Sequence, residues 1–149
     1  LRTLVLAEPT LATARQSGDD AAIAAWLNAS ASPDFVLWKT SVTSDEIGSA
    51  WVGTDIDGMS ALNMQRLQLL LESSRAGTFD MTRADRRAGF ENPFGTNANN
   101  ASRVAMRAVW KRLATRAEKA LAVGTGSDAS PASPTWQGAV TANESSLMR

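Results

Sequence analysis

The sequence predicts a mainly α-helical protein: a small helical bundle with one long helix, one short extended segment and an extended C-terminal arm. Three observations predict it. Apolar residues recur at spacings of three and four over most of the chain. Alternation in twos occurs only in "DFVLWKTSV". The stretch "AVGTGSDASPASPTWQG", from Ala122 to Gly138, is rich in Gly, Ser, Thr and Pro and poor in helix formers.

The elements follow in order. "LRTLVLAEPTLATARQSGDDAAIAAWLNAS" reads as short helices. Pro9 suits a first turn, where its missing N–H is an orphan in any case. Gly18 stops one helix, and Asp19 or Asp20 caps the next. Ile23, Trp26 and Leu27 share a buried face, and Asn28 to Pro33 is a break. In "DFVLWKTSV", Phe35, Leu37 and Lys39 point one way, and Val36, Trp38 and Thr40 the other. Neither face is purely polar, so both are expected to be packed. "TSDEIGSAWVGTDIDGMS" reads as a structured loop anchored by Trp51 and Val52, with one helical turn near Ser44 to Ile47.

A helix is expected from Ser60 to Ser74, with Met64, Leu67 and Leu71 on one face and Leu70 beside it. Gly77 ends it. A short helix follows from Thr82, its N-cap, to Gly89, and Phe90 and Phe94 flank the turn at Asn92–Pro93. The longest helix is expected from Asn100 to Val123. Met106, Trp110, Leu113, Ala117 and Leu121 make its apolar stripe, and Gly124 its stop. The sequence shows no internal repeat.

At 149 residues the chain fits one domain, and such a chain buries roughly 68–70% of its unfolded surface. The expected division is a helical core over 1–123 and an extended arm over 124–149. Full-length disorder is excluded by 44% hydrophobic and 20% charged residues. No run approaches the roughly 18–20 apolar residues that cross a bilayer, so no membrane is expected. Glu8 and Pro9 interrupt the short apolar start, which is not read as a signal peptide.

Cysteine and histidine are absent. Thiolate nucleophiles, imidazole bases, disulfides and Cys/His zinc sites are thereby excluded. Net charge is zero, with 15 basic and 15 acidic residues, which does not suit a general nucleic-acid coat. The charge is uneven along the chain. Residues 80–119 hold nine Lys/Arg against four Asp/Glu, a net +5, whereas residues 1–79 hold five against nine, a net −4. The last thirty residues hold one against two, a net −1. Opposite patches suit head-to-tail association that closes into a ring.

The candidate chemistry is sparse. Asp45, Glu46, Asp55 and Asp57 offer carboxylates for acid–base work, at no catalytic spacing. "DIDG" lacks the third ligand and distal Glu of a calcium loop. "VGTGSDAS" lacks the Lys and onward helix of a phosphate loop. No cofactor or metal is expected. Arg103, Arg107 and Lys111, with Arg112 and Arg116 beside them, form a basic stripe. That stripe reads as a solvated helix face, an inter-subunit contact or a non-specific contact with DNA in a channel. Trp136 is the sharper feature. It either folds back over its own domain or anchors in a partner's groove, where Trp is over-represented. The expected docking arm comprises Gly124, Thr125, Gly126, Ser127, Pro131, Pro134 and Trp136.

The succession "GDDAAIAAWLNA", "FVLWKTSV", "MSALNMQRLQLLLE" and "WKRLATRAEKALAVGTGSDASPA", then "QG", resembles a family of small structural proteins of tailed bacteriophages. The resemblance runs from about residue 18 to 138 and is densest from Trp110 to Ala132. It implies a non-enzymatic head-to-tail adaptor of a short-tailed phage, at the neck of the virion. Such adaptors are mainly helical and form a ring, commonly twelve-fold, between the portal protein and the downstream tail or nozzle protein. Their C-terminal arms run along the portal. The alternatives are a phage lysis enzyme that cleaves peptidoglycan with Asp/Glu, and another virion part such as a capsid decoration, tail or minor head protein.

Overall fold

The computed structural model describes residues 1–73 and 77–149. Two compact units result where the sequence suggested one domain. One comprises residues 1–37 and 113–149, the other residues 38–112. The units do not divide at residue 123: residues 124–149 belong to the same compact unit as the N-terminal helices.

The terminal unit begins with α1 (Arg2–Ala7), a 3-10 turn (Pro9–Leu11), α2 (Ala12–Ser17) and α3 (Asp20–Asn28). Gly18 ends α2 with φ of 71°, a left-handed conformation that costs Gly little. Asp19 starts α3 by accepting from the Ala22 amide at 2.9 Å. Val5, Leu11, Ile23, Leu27, Ala117 and Val140 make its main core, with Trp26 and Trp136 packed against it. Leu37, Ala114 and Ala132 make a smaller one.

The central unit carries β2 (Val42–Thr43), α4 (Ser44–Ser49), α5 (Gly53–Asp57), α6 (Ala61–Glu72), β3 (Thr78–Phe79), α7 (Ala84–Glu91), a second 3-10 turn (Asn92–Phe94) and α8 (Ala101–Val109). β2 and β3 pair antiparallel, Val42 opposite Phe79. Val42, Ile47, Leu67, Phe79, Met81, Phe90, Met106 and Trp110 are buried together. Phe79 meets Phe90 edge-on at 5.0 Å. β1 (Val36–Trp38) and β4 (Lys111–Leu113) form a second two-stranded sheet.

Most helices lie where the periodicity puts them, but the longest does not. The expected helix from Asn100 to Val123 is three elements: α8, β4 and α9 (Arg116–Leu121). Asn100 caps α8 as its composition suggests, accepting from the Arg103 amide at 3.1 Å. Trp110 then closes α8, and Ala114 donates its amide to the Phe35 carbonyl at 2.8 Å. Of the expected stripe, Met106, Trp110 and Ala117 are buried, whereas Leu113 is 55% exposed.

The single extended segment is likewise two strands, β1 and β2; in the loop after it the helical turn expected near Ser44 to Ile47 is α4, and α5 is a second helix that was not expected. The expected N-cap at Thr82 is displaced by one residue, because Thr82 is held by Asp80 instead. The helix expected to end at Ser74 runs from Ala61 to Glu72, and Ser74 lies outside the described residues.

Candidate functional site

The C-terminal segment was expected to be an arm without structure of its own. In the fold it is bound to its own unit along most of its length. The Val36 amide donates to the Gly126 carbonyl at 2.7 Å, and the Ala132 amide to the Val36 carbonyl at 2.9 Å. Val123 and Ser133 exchange both backbone bonds, at 2.9 and 2.8 Å. Thr125 Oγ1 donates to the Ser130 carbonyl, and the Ser130 amide to Ser127 Oγ at 3.0 Å.

Pro131 is buried and Pro134 half-buried. Gly126 has φ of 66°, and a Cβ there would stand 2.2 Å from the Phe35 ring, so only glycine fits. At Gly124, with φ of 127°, a Cβ would lie 3.0 Å from the Ala132 backbone. α10 (Ala142–Ser146) packs on α3, and Ser145 Oγ donates to the Asp20 carbonyl at 2.7 Å. Asn28 closes a two-way bond with the Val140 backbone, at 2.9 and 2.8 Å.

All seven expected arm residues are thus part of the folded terminal unit. The physical reason is pairing. An irregular segment buries its backbone without cost when each amide and carbonyl finds a partner, and β1 and α3 supply them.

What this fold leaves open is an apolar groove of about 300 Å³. Trp136, half-buried, lines it with Leu1, Leu121, Val140, Leu147 and Met148. Leu147 is 79% exposed. Glu144 is the acid at its edge. Bonds from the Thr141 amide and hydroxyl, both 2.8 Å, hold its carboxyl below the usual range. That side chain is engaged in capping α10, which leaves the groove an apolar surface. Leu147 and Met148 were missed because they follow a short helix, whose start was written in the sequence as Thr141-x-x-Glu144.

The basic stripe is not free. Glu91 on α7 receives Arg107 in bidentate fashion, at 2.7 and 2.6 Å, and Arg103 at 2.6 Å. Arg103 also donates to the Gly95 carbonyl at 2.6 Å. These two guanidiniums join α7 to α8. Lys111, the third member, lies half-buried in β4. The i, i+4 spacing that suggested a phosphate-tracking face serves an internal ion pair.

The four loop acids are dispersed too. Glu46 closes a capping box with Thr43 and bonds Lys39 at 3.2 Å. Asp55 accepts from the Ser102 amide and hydroxyl, at 2.9 and 2.7 Å. Both carboxyls are held below their ordinary pKa, Glu46 chiefly by the Thr43 amide and Asp55 chiefly by the Ser102 hydroxyl. A general acid needs the opposite shift. Asp45 and Asp57 are exposed. Among the described residues no three or more acids converge as metal ligands, and no helix is long and apolar enough to cross a membrane.

No family model matches the chain, and no curated protein or solved structure matches it either.

Proposed function

We propose that the chain is a non-enzymatic virion protein of a tailed bacteriophage, a head-to-tail adaptor whose copies form a ring beneath the portal in the virion neck. It is made in the host cytoplasm and joins the portal above to the tail or nozzle protein below. The support is the resemblance in order and spacing of segments between about residues 18 and 138.

The means of docking differs from that expected, because the C-terminal segment is folded. A preformed face replaces a free arm. The structural observation that supports this version is the groove around Trp136, with Leu147 left 79% exposed on its rim. A contiguous apolar groove with an exposed rim is the kind of patch that a partner covers, and Trp is a frequent anchor in such contacts.

Electron cryo-microscopy of the particle tests the assignment. Density for the chain at the portal vertex is expected, and density over the capsomers, or absence from the particle, rejects it. Leu147→Glu tests the docking face. Incorporation into particles should fall about ten-fold, a cost near 1.4 kcal/mol, with the melting temperature unchanged because the side chain is exposed.

A further inference from the structure

A separate cleft in the terminal unit, about 550 Å³, has a different character from the apolar groove. Its charged lining comes from α9 and from the turn after α1. The Arg116 guanidinium lies 4.5 Å from the Trp26 ring centroid and donates from Nη1 to the Trp26 carbonyl at 3.3 Å. One turn on, Lys119 Nζ lies 5.7 Å from the Phe35 ring centroid and donates to the Pro33 carbonyl at 3.1 Å.

Neither cation has a carboxylate within salt-bridge distance among the described residues. Each keeps donors in reserve. A guanidinium has five N–H groups and an ammonium three, and each cation has one bond, to a carbonyl. Glu8 also lines the cleft, but its Oε1 is turned to Thr10, accepting from the amide at 3.1 Å and the hydroxyl at 2.7 Å. Leu4, Trp26 and Ala120 supply apolar wall.

We propose that this cleft binds a monocarboxylate carried on an apolar or aromatic stem. The carboxylate is received by Arg116 and Lys119, and the stem lies on Leu4, Ala120 and the edge of Trp26. Two features select that class. The lining carries two cations and one anion, so a single negative charge is matched, whereas a second one on the ligand would face Glu8. The apolar wall favours a stem over a bare ion. Both cations are already held by a ring and a carbonyl, so little side-chain freedom remains to be lost on binding. The carboxylate has two sources with this chemistry, the C-terminus of a peptide or a small free acid. This site does not rest on the virion assignment.

The test is calorimetric titration of the full chain with benzoylglycine, its amide, inorganic phosphate, and acetyl-Ala-Phe with a free or an amidated C-terminus. Saturable binding of the free acids, at least about ten-fold tighter than their amides and than phosphate, is expected. A tighter fit for the dipeptide acid than for benzoylglycine assigns a peptide terminus, and the reverse order assigns a small free acid.

Lys119→Gln should weaken binding at least about five-fold with an unchanged circular dichroism spectrum, and Lys119→Arg should retain it. Absence of saturable binding by both acids up to about 10 mM, a Kd ceiling worth under about 3 kcal/mol, overturns the proposal. So does equal binding of acid and amide, phosphate binding as tight as the acids, or a Lys119→Gln variant that binds as well as the parent.

Discussion

At the scale of single residues, Glu91 shows how a spacing is read correctly and its purpose missed. Arg103 and Arg107 stand four apart on one face of α8, a relation visible in the sequence. Their common target lies 12 and 16 residues earlier, on another helix, where spacing rules do not reach. Burial raises the Glu91 pKa, but bonds from Arg107 and then Arg103 outweigh it, and the net shift is downward. A carboxylate with a folded-state pKa below its unfolded value stabilises the fold above the unfolded value. It loses that contribution as pH falls through the lowered one. Glu91→Gln should therefore cost about 3 kcal/mol at pH 7, because it leaves Arg103, only 12% exposed at its side chain, without its ion partner. The difference between variant and parent should shrink as pH drops below the ordinary value of 4.5. Urea denaturation at pH 7, 5, 4 and 3 measures both, and a gap that stays constant with pH refutes the assignment.

At the scale of elements, three helices begin with the same signal. Thr43-Glu46, Thr115-Glu118 and Thr141-Glu144 each form a full capping box, with the Thr hydroxyl on the third amide and the Glu carboxylate on the Thr amide. Thr-x-x-Glu is legible in a sequence, and the middle example explains why the longest helix divides. A continuous apolar stripe from Met106 to Leu121 argues for one helix. A capping box at 115 argues for a new start, and it prevails because Thr115 is extended and the Ala114 amide donates to the Phe35 carbonyl. Periodicity reports which residues are buried. It does not report whether the backbone between them turns, so Met106, Trp110 and Ala117 were placed correctly in a helix that is not there. The strands β2 and β3, two residues each, are too short for any alternation to show. Thr115→Ala should lower stability by about 1–2 kcal/mol. The upper end applies because Glu118 is only 3% exposed and its amide loses the Thr115 hydroxyl that accepts from it, while the Thr115 amide stays on the Glu118 carboxylate. Thermal unfolding monitored at 222 nm reads it, and a change under about 0.3 kcal/mol, within the range of neutral surface substitutions, would show that the box does not hold α9.

At the scale of the whole molecule, folding redistributes what the linear sequence kept apart. The charge runs of +5 and −4 become a central unit with ten Lys/Arg and eight Asp/Glu and a terminal unit with five and seven, +2 against −2. The polarity that suggested ring assembly is thereby reduced. The same rearrangement decides the fate of the C-terminal segment. Composition correctly marked residues 122–138 as unable to form a helix, and mostly irregular backbone is what they adopt. Composition could not show that β1 and α3 carry the matching donors and acceptors, since those partners lie from 90 to 125 residues away in the sequence: Gly126 on Val36 is 90, Ala132 on Val36 is 96, Val140 on Asn28 is 112 and Ser145 on Asp20 is 125. A free arm would leave a folded domain behind when removed. The observed packing demands the opposite. Truncation after Val123 strips Ala132 and Val140 from the two cores and α10 from α3, and it orphans the Val36 amide and carbonyl. Val140 alone, 4% exposed, is worth about 2 kcal/mol. The severed backbone bonds add about 1 kcal/mol each, against a total stability of only about 5–15 kcal/mol for such a chain. Hydrogen exchange on the truncated protein should therefore find the amides of Asp20–Asn28 unprotected, where the full chain protects them. If those amides exchange as slowly without the segment as with it, its contacts with β1 and α3 do not stabilise the terminal unit, and the segment is free to serve a partner after all.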